Sequence, residues 1–192
     1  MQVDAKSTSA WLAVWLCAAL APWPAAWGGE GTLNVSAVIL NGTCEVAASP
    51  GAITFDPVRV GRFNGAGQTA QVKPLHLTLS ACQGIGEAGM SAAVRVNGTV
   101  APFDSALFLD AASSTQGLGV MLRTGKYTGP LGDFYDAGQA VRNGDYSFGQ
   151  PVGQAMPDGG LDYSVGLTNG TGQQVVLPGD LAATLQFTFL YH

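Results

Sequence analysis

A chain of 192 residues with 47% hydrophobic and only 11% charged residues has room for one ordinary domain with a proper core. It is too apolar for a disordered tail and too poor in charge for a salt-bridged helical protein, and a formal net charge of -5 leaves no basic stripe for nucleic-acid phosphates. Gly 27 and Pro 10 favour many short strands joined by turns.

In chain order, the first element is not part of the fold. Lys6 precedes the apolar run Trp11 to Ala21, which Pro22 and Pro24 break before a stretch of small residues, the order of a secretory signal. The run is too short to span a bilayer. Ala26-Trp27-Gly28 is the best small-x-small site and predicts a mature start at Gly29, with cleavage after Ala26 as the alternative. All four tryptophans fall at positions 11, 15, 23 and 27, which favours a discarded leader over a buried N-terminal helix. A lipid anchor on Cys17 is disfavoured because Leu16 stands where a lipobox puts a small residue.

Removing residues 1–28 leaves Cys44 and Cys82, and an even pair in an exported chain reads as one disulfide. The alternatives are two free thiols or a metal pair with His76, the latter poorly supported without a CxxC knuckle.

Period-two alternation then recurs along the chain, as expected of strands with one buried face. Leu33, Val35, Ala37 and Ile39 share a face, followed by Ile53 and Phe55 in a short second strand. Leu75, Leu77, Leu79 and Ala81 line up next, then Val94 with Val96, and Leu118 with Val120 and Leu122. Residues 125–160, with scattered Gly, Pro and Asp, read as loops and short edge pieces. Leu161, Tyr163, Val165 and Leu167 form another strand face, and Leu181, Ala183, Leu185, Phe187, Phe189 and Tyr191 the last. No helical apolar stripe and no internal repeat accompanies them.

Asn-Gly pairs at Asn41, Asn64, Asn97, Asn143 and Asn169 supply the positive φ of tight turns. Asn34, Asn41, Asn97 and Asn169 also head N-x-Ser/Thr patterns, for which the turn reading is the stronger. Seven or so strands in this length make an immunoglobulin-like sandwich the default architecture.

Catalytic signals are missing from the sequence. A nucleophilic enzyme needs a base beside its Ser or Cys, and only His76, mid-strand, and His192, the last residue, are available. Asp133, Asp136 and Asp145, or Asp158 with Asp162, lack the spacing of a calcium loop and read as solvated loop acids. No G-x-S-x-G, P-loop, G-x-G-x-x-G or H-E-x-x-H pattern occurs, so the chain is expected not to be an enzyme and to use no metal or cofactor.

The two ends carry the most information. GTLNVSAVILNGTC alternates directly ahead of Cys44, LHLTLSAC approaches Cys82, GLGVMLR lies mid-chain, and the terminal strand carries Gly179 and the penultimate Tyr191. In this order and spacing the sequence resembles the subunits of bacterial chaperone-usher pili, the type 1-like fimbrial proteins, over nearly all of the mature chain.

That resemblance implies an all-β fold, an incomplete immunoglobulin-like sandwich that lacks its seventh strand and is completed by donor-strand exchange. It further implies a signal peptide at 1–28, an N-terminal donor-strand extension at 29–43 and a pilin domain at 44–192. Leu33, Val35, Ala37 and Ile39 would be the donor residues, with Ala37 at a place where a small residue is common and Gly31 at the outermost position. Gly179, Leu181, Ala183, Leu185, Phe187, Phe189 and Tyr191 would form the strand facing the chaperone and the groove, with the His192 carboxylate held by the chaperone's basic residues. The implied partners are a periplasmic chaperone, an outer-membrane usher and neighbouring pilus subunits, with a host receptor reached through the fibre. The implied destination is a surface fimbrium active in cell adhesion. A single-domain tip adhesin and a secreted sandwich with a complete fold are the alternatives.

Overall fold

The computed structural model describes residues 42–192. The leader and the alternating segment with Leu33, Val35, Ala37 and Ile39 lie outside the described residues.

Among the described residues, strands dominate and helix is limited to single turns at Val60–Arg62 and Leu131–Asp133. The strands are β1 (Gly42–Ser49), β2 (Thr69–Gly84), β3 (Ala92–Gly98), β4 (Val100–Ala101), β5 (Asp104–Phe108), β6 (Gly119–Thr124), β7 (Tyr146–Ser147), β8 (Gly159–Thr168) and β9 (Leu185–Tyr191). They form a six-stranded sheet in the order β1-β2-β8-β6-β5-β4 and a three-stranded sheet in the order β7-β3-β9. Every pairing is antiparallel. The fold is all-β, as expected.

The core lies between the two sheets, where the predicted alternation places it. Leu75, Leu77 and Leu79 of β2, Tyr163 and Val165 of β8, and Val120 and Leu122 of β6 meet Val94 and Val96 of β3 in one buried cluster. Fully burying each such side chain stabilises the fold by roughly 1.5–3 kcal/mol before ordering costs.

Several local expectations are corrected. Ala81 does not share the face of Leu79: it is exposed, with φ 52. Thr43 pairs with Gln83 but Glu45 with Ser80, so β2 carries one residue more than β1 at this point. This bulge reverses the strand's parity, turns Cys82 toward the interior, and allows its disulfide to Cys44 with a Cα–Cα separation of 4.1 Å. The Asp158 carboxylate accepts the Cys82 N–H at 2.8 Å, so the displaced amide is satisfied.

Ile53 and Phe55 are not in a ladder, because Pro50 ends β1 and the chain leaves the sheet there. The terminal strand proper begins at Leu185 rather than Gly179. Residues 125–160 are loops around the short edge strand β7, as expected, but not all of them are solvated: Phe134 is fully buried with Ala101, Leu107 and Met121 on the outer face of the large sheet. It lies over Gly166, where any Cβ would collide with its ring. Arg123 holds it there, donating to the Phe134 carbonyl at 2.9 Å with its guanidinium over the Tyr127 and Phe134 rings.

Candidate functional site

Along one side of the sandwich runs an apolar groove of about 880 Å³. Its floor is the inner face of the large sheet, at Leu75, Val120, Val165 and Leu167. One wall is the extended segment with Ile53, Phe55 and Val58, and the other is the C-terminal stretch with Leu181, Ala183, Leu185 and Phe187.

Each wall is fastened from behind. The Gln71 side chain acts as a substitute strand for the first, accepting the Asp56 N–H at 3.1 Å and donating to the Asp56 carbonyl at 2.8 Å. Lys73 adds an ion pair to Asp56 at 3.6 Å. In the second wall Asp110 N–H donates to the Ala182 carbonyl at 2.8 Å, and Thr115 N–H to the Asp180 carbonyl at 3.1 Å. The Ser113 and Ser114 hydroxyls accept the Ala182 and Asp180 amides at 3.0 and 2.8 Å. Hydroxyls replace half of a regular ladder here, which is why 179–184 is extended without being a strand.

The bonded residues in that wall are even-numbered. In an extended chain successive backbone groups point to opposite edges, so the amides and carbonyls of Leu181 and Ala183 point to the other edge, along the groove. Their side chains and those of Leu185 and Phe187 are half-buried, while Ala182, Thr184 and Gln186 are exposed. Downstream, β9 pairs with β3 in register from Gly98↔Leu185 to Ala92↔Tyr191, and in the strand order it is an edge strand among the described residues. The groove therefore offers alternating apolar positions beside a backbone edge, the two features by which an added strand is recognised.

The structure brings most of the predicted terminal residues to this wall. Gly179 sits against the 114–115 backbone, where a Cβ would come within 2.5 Å of the Thr115 nitrogen. Phe187 packs toward Tyr163, their ring centroids 5.3 Å apart, and Phe189 meets Tyr191 at the same distance, edge to face. The Tyr191 hydroxyl donates to the Gly84 carbonyl at 3.0 Å. His192 exchanges backbone hydrogen bonds with Ser91 at 2.9 and 3.0 Å, and its ring stacks on Tyr146 at 3.9 Å. The four expected donor residues lie outside the described residues.

The other singled-out residues have ordinary partners. His76 bonds Asp162 through Nδ1 at 2.8 Å on the sheet's outer surface. That hydrogen bond, with Lys126 nearby, holds the Asp162 carboxyl below the usual range. Asp136 accepts the Gly138 amide and Asp145 that of Arg142, each at 2.8 Å, so these acids cap turns. Tyr135 is raised above its ordinary value by burial and by its hydrogen bond to Asp104 at 2.7 Å.

The family model described as fimbrial protein matches residues 33–192. No curated protein sequence matches the chain. Among solved structures, the P pilus rod subunit PapA is similar with a TM-score of 0.53 at 16% identity, over 84% of this chain and 100% of that one. A chain from a chaperone-usher pilus structure concerned with rod uncoiling gives 0.52 at 14% identity, over 86% of this chain and 97% of its own. At such identities the likeness is one of fold.

Proposed function

The chain belongs to the fimbrial protein family, and from that membership we propose that its groove receives the N-terminal extension of a neighbouring subunit. It is a pilus subunit of the cell surface. Residues 1–28 are the export signal, 29–43 the extension and 44–192 the pilin domain, with β1 opening two residues before Cys44. Leu33, Val35, Ala37 and Ile39 of one subunit enter the next subunit's groove, where backbone hydrogen bonds supply affinity and alternate side chains fix the register.

The observation that carries this reading is the groove itself, an apolar floor between two extended walls that are each fastened from behind. During export a periplasmic chaperone shields the groove and holds the His192 carboxylate, and an outer-membrane usher exchanges that strand for the neighbour's. The subunit does no chemistry of its own: it contributes to adhesion by extending the fibre.

The test is deletion of residues 29–40. The shortened subunit is expected to bind its chaperone yet end every fibre it joins. A peptide GTLNVSAVIL should raise its melting temperature by mass action, and an Ile39→Asp peptide should do so far less. A shortened chain that is a stable monomer and ignores the peptide would overturn the proposal.

A further inference from the structure

The large side chains most exposed among the described residues are not scattered. Of the eight large exposed hydrophobics, six fall at the two ends of the sandwich: Ile85, Met90 and Val152 at one, and Val60, Val175 and Leu177 at the other. The ends are defined by β2, whose 16 residues span roughly 50 Å. Ile85 follows the last residue of β2, and Gly153 N–H donates to the Met90 carbonyl at 3.0 Å, which places Val152 alongside. At the opposite end Val176 packs with Phe63 and Ala70 near the start of β2, and Val60 and Leu177 line the mouth of the groove.

The chain preceding β1 departs at Gly42, which pairs with Gly84 beside Ile85. β9 also finishes there, since Tyr191 bonds Gly84. A neighbour entering the groove from this same end would have to share the space with the subunit's own departing extension. Entry from the Val60–Leu177 end leaves both free and repeats without closing, the head-to-tail arrangement of an open filament.

We propose that the exposed Ile85, Met90 and Val152 of one subunit dock against the exposed Val60, Val175 and Leu177 of the next copy of this chain, forming a second contact beside the inserted strand. The inference rests on the donor-strand reading and adds to it a contact between the two subunit bodies. Apolar surface meets apolar surface because each end, left in water, exposes large hydrophobics such as Val175 at 76%, Val152 at 59% and Ile85 at 54%. Charge is compatible as well: Arg59 and Arg62 flank Val60, while Glu45 is exposed near the opposite end.

The test uses polymers of the full mature chain carrying Val175→Asp or Ile85→Asp, neither of which lines the groove. Subunit dissociation in denaturant is expected to be at least tenfold faster for either variant, and the double variant should be no worse than the product of the two. A chain carrying Val175→Lys with Ile85→Glu should recover much of the wild-type rate, since the new charges face each other across the junction. In parallel, the off-rate of labelled GTLNVSAVIL from the full chain refolded around it should be unchanged by Val175→Asp, because the peptide brings no subunit body. Polymers that dissociate at the wild-type rate, or a peptide off-rate that rises as much as the polymer's, would overturn the second contact. Failure of the wild-type chain both to polymerise and to hold the peptide would overturn the donor-strand reading, and this one with it.

Discussion

The Tyr163 hydroxyl on β8 lies 2.6 Å from Ser147 Oγ on β7, joining the two sheets through the buried core. Ser147 donates its own proton to the Val94 carbonyl at 3.1 Å, so the tyrosine is the donor to Ser147. Burial pushes the Tyr163 hydroxyl from 10.0 up to about 12. The folded state therefore keeps a proton that the unfolded chain loses, and stability should be full below pH 10.0 and fall as the pH rises toward 12. The shift corresponds to roughly 3 kcal/mol. Tyr163→Phe should cost about 1 kcal/mol at neutral pH through the lost hydrogen bond and flatten much of the alkaline decline. The slope that remains belongs in part to Tyr135, which is shifted in the same direction. Urea denaturation at pH 7 to 12 measures both effects.

Reduction of the Cys44–Cys82 bond opens a loop closed over a separation of 38 residues. Chain-entropy reasoning puts the loss at about 4 kcal/mol. The paired Cys44→Ala/Cys82→Ala chain should show a drop of that order in unfolding free energy, and an intact mass of the exported protein should lack two thiol hydrogens and residues 1–28.

Gly166→Ala places a methyl group against the Phe134 ring, with the sheet behind it. The expected cost is about 1–3 kcal/mol. Phe134→Ala alone should cost roughly 3–5 kcal/mol by emptying the outer cluster. In Gly166→Ala the further change Phe134→Leu should cost much less than it does in the wild-type background, a coupling that a double-mutant cycle in urea reads directly.

Ala183→Leu enlarges a groove-facing residue without touching the sheet ladders. Folding should be nearly unchanged by melting temperature, whereas the affinity for GTLNVSAVIL should fall at least tenfold, about 1.4 kcal/mol. Wild-type affinity would mean that the inserted strand does not pass Ala183.

What was legible in the sequence was parity. Leu75, Leu77 and Leu79 announce β2 because each of them meets the same core, and Leu181, Ala183, Leu185 and Phe187 announce the groove wall for the same reason. Ala81 misled because a bulge is one extra residue with no sequence mark of its own beyond the cysteine that follows. Phe134 was invisible because its partner is the bare backbone of Gly166, and an absent side chain leaves no pattern. The Gln71 brace was hidden in a strand that otherwise alternates normally, since hydrogen bonding between a side chain and a distant backbone has no period. Asn169 followed its turn reading: its amide accepts the Gln68 N–H at 2.8 Å and donates to the Gly65 carbonyl at 2.7 Å, leaving it buried and closed to a glycan.

The position of the disulfide also governs how tension would pass through the molecule. In a fibre assembled as proposed, a pull on the neighbouring subunit arrives at Gly42, the first residue of β1, where antiparallel pairing alone would let the strand peel from β2 one hydrogen bond at a time. Two residues further on, Cys44 is covalently joined to Cys82 near the end of the 16-residue β2. The force is thereby transferred from the edge strand to β2, which is held between β1 and β8 in the large sheet. Peeling stops at Cys44, the third residue of β1, and a reduced subunit would yield under stretching at its entry strand well before its core gave way.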